Sequence, residues 1–204
     1  DQLNAYGTVA KQRFVETFSG SSYDDDRWFF QDIAAGASAV MADTVDGGLQ
    51  MTTDASGGSP SGYLGFNDIC QYDPTGFRFI STCKKGSDNN VGIKAGIGSE
   101  DGIANPAHAS MMVEGSLTTN RALQTKDGST QTETSSDVPI SQTEFAYDIV
   151  GNGSNNILSL NGVTKVTKTT NLPTLNCQPL LYIQSRSTSA VKTWNCKYVE
   201  CYNT

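Results

Sequence analysis

The segment Leu158-Ser-Leu-Asn-Gly-Val-Thr-Lys-Val166 restricts the fold more than any other stretch of this chain. Leu158 and Leu160 alternate with polar residues and so share one face of an extended strand. Asn161-Gly162 supplies the two positive-φ residues that a type I′ turn requires. Val163-Thr-Lys-Val-Thr-Lys-Thr-Thr170 is rich in β-branched residues and returns beside the first strand. The unit reads as a β-hairpin, and most of the chain repeats its grammar. Val91, Ile93, Ala95 and Ile97 alternate with Gly92, Lys94 and Gly96, and Phe145, Tyr147 and Ile149 alternate with Ala146 and Asp148. Further strands are expected at 13–18, 28–31, 37–42, 48–53, 62–66, 77–83, 180–184 and 192–202. Residues 67–71 read as a single helical turn, and 86–90 and 125–137 as long polar loops. No stretch of useful length carries a helical period, and none repeats at a fixed interval.

About a dozen strands with turns between them predict an all-β chain. The economical architecture is one two-sheet antiparallel jelly-roll sandwich over residues 14–204, preceded by a polar N-terminal arm, residues 1–13. The formal net charge of −7 argues against a nucleic-acid partner, whose phosphates require a basic patch. Lys165, Lys168, Lys192 and Lys197 come nearest to one, but they are scattered strand positions. No apolar run approaches the roughly 20 residues of a helical membrane span, and no membrane partner is expected. The five cysteines, Cys70, Cys83, Cys177, Cys196 and Cys201, are odd in number and lack any Cys-x-x-Cys spacing. They read as free buried thiols; the alternative is one or two bridges and an unpaired thiol.

Several landmarks in order resemble the concanavalin A-like lectin and glucanase superfamily, laminin-G-like modules included. Val15-Glu-Thr-Phe-Ser-Gly-Ser-Ser-Tyr-Asp-Asp-Asp-Arg-Trp28 is similar to the opening of laminarinase-type glucanases. Asp46-Gly-Gly-Leu-Gln-Met51 matches the next strand. Leu160-Asn-Gly-Val163, followed by Asn171-Leu-Pro173, is similar to a hairpin of these folds, and Tyr198-Val-Glu-Cys-Tyr202 to their closing strand. The resemblance covers most of 13–204. It implies two packed antiparallel sheets, one of them concave, with glycans bound on that face or its rim, sometimes with calcium. The glycine-rich sandwich also resembles domains of phage and viral surface proteins.

Glycosidic hydrolysis needs two carboxyl groups flanking one bond. The look-alike glucanases carry theirs on one strand as Glu-x-Asp-x-x-Glu. None of Glu16, Glu100, Glu114, Glu133, Glu144 and Glu200 has an Asp two residues later, so no catalytic residue is assigned. Glu144 and Asp148 lie roughly 13 Å apart along a strand, wide for either hydrolytic geometry. His108 is the single histidine and has no neighbouring nucleophile pattern. Sugar C–H faces stack on aromatic rings, so Trp194, Tyr198 and Tyr202, spaced four apart on one strand, form the candidate glycan ladder; the competing reading places these rings in the core. Trp28, Tyr63, Tyr72 and Tyr182 are further aromatic candidates under the same competition. Asp24, Asp25 and Asp26 are the candidate ligands for Ca²⁺, against a reading as a solvated turn; no other cofactor is expected.

The expected function is accordingly a non-catalytic structural protein of a virion surface, such as a phage capsid decoration or fibre domain. It would be virion-borne or extracellular, self-associate as a homo-oligomer, and dock other virion or surface proteins through residues 1–13. Glycan adsorption would be secondary. The alternatives are a carbohydrate-binding module or lectin and, last, a glycoside hydrolase.

Overall fold

A computed structural model describes residues 13–42, 47–55, 59–66, 72–86, 90–99, 120–186 and 190–204, together with the backbone of 107–114. Fifteen strands and no helix occur among the described residues: β1 (Arg13–Glu16), β2 (Trp28–Asp32), β3 (Ala37–Met41), β4 (Leu49–Thr53), β5 (Ser61–Phe66), β6 (Phe77–Lys85), β7 (Val91–Gly98), β8 (Ala107–Glu114), β9 (Asn120–Asp127), β10 (Gln131–Pro139), β11 (Phe145–Gly151), β12 (Asn156–Leu160), β13 (Val163–Lys168), β14 (Gln178–Ser185) and β15 (Lys192–Asn203). They build an eight-stranded sheet in the order β13-β12-β11-β6-β15-β4-β3, with β1 beside the far half of β15, and a seven-stranded sheet in the order β10-β9-β8-β7-β14-β5-β2. Every pairing is antiparallel. The two-sheet sandwich is the one the alternating sequence predicts.

Alternation sorts side chains into the space between the sheets. From the eight-stranded sheet come Phe77, Phe79, Tyr147, Ile149, Leu158 and Val199; from the other come Val91, Ile93, Ile97, Leu123, Leu181 and Ile183, all essentially sealed from solvent. One end is closed by rings. Phe14 lies 5.5 Å from Trp28 and 4.4 Å from Phe66, and Phe18 lies 5.6 Å from Trp28, in edge-on or tilted contacts that suit the ring quadrupoles. Each such side chain contributes roughly 1.5–3 kcal/mol by leaving water.

The 158–166 hairpin forms as its sequence dictates. Asn161 and Gly162 take φ of +49° and +79°. Asn161 also ties the turn to β11, its amide donating to the Ala146 carbonyl and its Oδ1 accepting the Ala146 amide. Three expectations change or fall outside the structure. Segment 125–137 is not a loop: β9 turns at Gly128 and returns as β10, the turn held by the Asp127 carboxylate, which accepts the Ser129 and Thr130 amides at 2.9 and 2.8 Å. β10 is an edge strand with mostly polar residues on both faces, so periodicity has nothing to register. Arg13, counted with the arm, is the first residue of β1; the rest of the arm, and the helical turn expected at 67–71, lie outside the described residues.

Candidate functional site

The two sheets differ in how their outward faces meet solvent. β6 and β12 alternate between buried and half-buried, as a sheet with one wet face should. In the seven-stranded sheet β5 is buried throughout, β7 almost throughout, and Ala122, Gln124, Gln178 and Leu180 are sealed although they point away from the core. Outward residues lose water in this way when the face is recessed or covered, and this face is the candidate binding surface.

Its lining follows from strand register, because residues directly opposite one another share a face. One row runs Gln31–Tyr63–Tyr182–Lys94 across β2, β5, β14 and β7. Its neighbour runs Phe29–Gly65–Leu180–Gly96, continues through the backbone of Ser110, and ends at Gln124 and Glu133. The Phe29 and Tyr63 rings meet edge-on at 5.5 Å. The Lys94 ammonium stands 5.6 Å from the centre of the Tyr182 ring, within cation–π range. Gly92, Gly96 and Gly98 leave β7 with one outward side chain, Lys94, and the Arg186 guanidinium lies over Gly92, 3.2 Å from where a Cβ would stand. At Gly65 the missing Cβ is what lets the Tyr63 ring lie flat: a Cβ there would sit 2.4 Å from that ring.

Glu133 is a titratable group of this face. Burial pushes its carboxyl above the usual glutamate value; the Lys94 ammonium, a hydrogen bond with Gln124, and the charges of Arg186 and Lys168 pull the other way without cancelling the rise. A carboxyl so placed holds its proton to higher pH than a solvated one and can deliver it to a leaving oxygen.

The residues singled out in the sequence fall elsewhere. Trp194 is 1% exposed and belongs to the core. Tyr198 and Tyr202 do not share its face, because the β15–β6 register slips between Cys196 and Tyr198, with Lys197 as the extra residue. The bulge sends Tyr198, Glu200 and Tyr202 to the outer side of the eight-stranded sheet. There Tyr198 donates its hydroxyl to Glu200, which also accepts from Arg13 at 2.8 Å, while Arg78 donates to the Tyr202 hydroxyl at 3.1 Å and pairs with Asp148 at 2.7 Å. Partial burial and the Glu200 carboxylate push the Tyr198 hydroxyl up to about 12. The proposed ladder is thus a core ring plus two tyrosines held in a polar network. Glu144 pairs with Lys197 at 2.7 Å and Asp148 with Arg78, which explains both carboxylates as surface ion pairs. Beside them a shallow groove of about 510 Å³, lined by Lys84, Gln142, Thr143, Glu144 and Lys197, contains no ring on which a sugar could stack.

The Asp24–Asp26 triplet does not converge. Asp24 accepts the Asp26 amide at 3.1 Å and pairs with Arg27 at 3.0 Å, and its carbonyl accepts the amides of Arg27 and Trp28. This is a turn that starts β2, and among the described residues no three acidic, histidine or cysteine side chains gather around a metal-sized space. Of the further aromatics, Trp28 and Tyr72 are core residues, whereas Tyr63, itself 2% exposed, and the half-buried Tyr182 lie on the outward face of the seven-stranded sheet. His108 pairs through its backbone with Gly98 and Lys126. Glu133 was missed because it lies in the segment that reads as a loop.

No family model and no curated protein matches the chain. Solved structures do. A Bacillus licheniformis β-glucanase is 12% identical, with 94% of this chain and 98% of that one superposed at a TM-score of 0.66. A prokaryotic β-1,3-1,4-glucanase (lichenase) from a mouse hindgut metagenome is also 12% identical, over 94% and 98%, at 0.70. Rv0315 of Mycobacterium tuberculosis, described as an immunostimulatory antigen and pseudo β-1,3-glucanase, matches at 12% identity, over 94% and 98%, at 0.66. The chain therefore has the concanavalin A-like jelly-roll fold of the glucanases, as its landmarks predict. The same finding contradicts the expectation of a non-catalytic virion component: the architecture is shared over 94% of the chain with proteins named as glucanases.

Proposed function

We propose that this chain is a glycoside hydrolase that takes a β-linked glucan along the recessed face of its seven-stranded sheet. The observation that carries the reading is Glu133, a half-buried carboxyl of raised pKa in the same face as Tyr63, Lys94, Gln124 and Tyr182. The half-buried Tyr182 ring suits the flat C–H faces of sugars, and amide and ammonium groups suit their hydroxyls. Likeness in fold to β-glucanases supports the substrate class.

Glu133 serves as the proton donor to the departing glycosidic oxygen. The paired-carboxylate pattern Glu-x-Asp-x-x-Glu is absent from this chain, and β8, Ala-His-Ala-Ser-Met-Met-Val-Glu, offers only Glu114. The backbone of Glu114 pairs with Gly92, and Ser110 on the same strand pairs with Gln124, the partner of Glu133. Strand spacings place the two backbones roughly 16 Å apart, about 13 Å along the strands and about 10 Å across them. That separation is wide for either hydrolytic geometry, as it is for Glu144 and Asp148, so no second carboxyl is assigned.

The test is release of reducing ends from a panel of β-1,3- and mixed-linkage glucans. Turnover is expected, falling roughly 100-fold or more in Glu133→Gln with glucan binding kept. Binding without turnover overturns hydrolysis and leaves recognition; neither binding nor turnover overturns both.

A further inference from the structure

Cys83 on β6 and Cys196 on β15 are direct cross-strand partners at the centre of the eight-stranded sheet. Both side chains point into the core, at 2% and 0% exposure. The Cys83 thiol is directed at the Cys196 sulfur, 3.5 Å away. Directly opposed residues of an antiparallel pair have Cα atoms roughly 4.5–5.5 Å apart, inside the span that a disulfide bridges. Closure to the bond length of about 2.05 Å needs about 1.5 Å of sulfur movement, within reach of side-chain rotation. We propose that Cys83 and Cys196 are a disulfide site, open as two thiols in a reducing medium and closed as a β6–β15 cross-link when the chain folds in an oxidising one.

The chemistry is thiol–disulfide exchange with a small disulfide such as oxidised glutathione. One cysteine thiolate attacks a glutathione sulfur, forming a mixed disulfide and expelling one glutathione thiolate. The second cysteine thiolate attacks the protein-side sulfur of that mixed disulfide and expels the other. The protein loses two electrons and two protons, and one glutathione disulfide becomes two glutathione thiols. The reaction belongs to folding rather than to the finished fold: burial raises the Cys196 thiol well above its ordinary value, so the sealed pair is a poor nucleophile. Its sequence separation of 113 positions makes the constraint on the unfolded chain a large one. The site sits where strain is most tolerable, because the bulge at Lys197 follows Cys196 directly and lets β15 adjust its twist.

The test refolds the full chain in a glutathione redox buffer, denatures it, and alkylates free thiols. Of the five cysteines, the bridge leaves three to react. Proteolysis without reductant should yield one linked peptide containing Cys83 and Cys196. Reduction should lower the melting temperature on the order of 10 °C, and this difference should vanish in C83A/C196A. Five reactive thiols, or a bridge that joins any other cysteines, overturns the proposal. If C83A/C196A does not fold, the thiol count and the linked peptide of the wild-type chain still decide it.

Discussion

Among the described residues, Arg121 has the most demanding position. It is a cation at 1% exposure, on the core side of β9. Its guanidinium donates to the Tyr147 hydroxyl at 2.9 Å, to the Pro139 carbonyl and to the Ser141 carbonyl at 3.1 Å, and lies 3.8 Å from the centre of the Phe145 ring. One side chain thereby fixes the crossing from β10 in one sheet to β11 in the other. Arg121→Ala removes the donors and leaves buried acceptors without partners, so it should cost about 3 kcal/mol or more in urea unfolding; a loss under about 1 kcal/mol would show that the crossing is held by other means. Glu133 gives a second prediction at this scale. Its folded pKa lies above the unfolded value, so ionisation opposes folding. Its contribution is fully present below the unfolded pKa and is lost as pH rises through the folded one. Wild type should therefore lose stability relative to Glu133→Gln as pH climbs through that window, a trend read from melting temperatures of the two proteins from pH 4 to 8. A parallel pair of curves would mean that the carboxyl is solvated.

At the scale of elements, one extra residue in β15 decides which side chains are core and which are surface. Spacing four apart places Trp194, Tyr198 and Tyr202 together only if the strand is regular. The bulge at Lys197 reverses the phase, and no residue type announces it. The bulge is packed against Gly48, which enters β4 at φ +94° and whose added Cβ would lie 2.8 Å from the Cys196 carbonyl. Gly48→Ala should therefore cost roughly 2 kcal/mol, from backbone strain and from that contact together, and should lower amide protection first in β4 and the middle of β15; unchanged exchange there would mean that the bulge is not braced by Gly48. The same logic explains what could be read beforehand. β7 and β11 were legible because one face is apolar and the other is not. β10 was illegible because a polar edge strand has no contrast to detect. Tyr63 and Tyr182 could be named as aromatics, but not as neighbours, since they meet only through the β5–β14 register.

For the whole molecule, the fold was written in alternation, whereas the site was not. Tyr63, Lys94, Gln124, Glu133 and Tyr182 come from five strands and become one surface only when the seven-stranded sheet assembles. Sequence motifs capture residues clustered along the chain, such as Glu-x-Asp-x-x-Glu, and this chain lacks that cluster. The central claim is that recognition belongs to the recessed face and not to the tyrosine network on the opposite sheet. Calorimetric titration of a mixed-linkage β-glucan oligosaccharide into Tyr182→Ala and Tyr198→Ala tests it most directly. Tyr182→Ala should weaken binding at least about tenfold, the order of one lost sugar–ring contact, and Tyr198→Ala should leave it unchanged. Weakening confined to Tyr198→Ala, or a wild-type protein that takes up no glucan, would contradict the account.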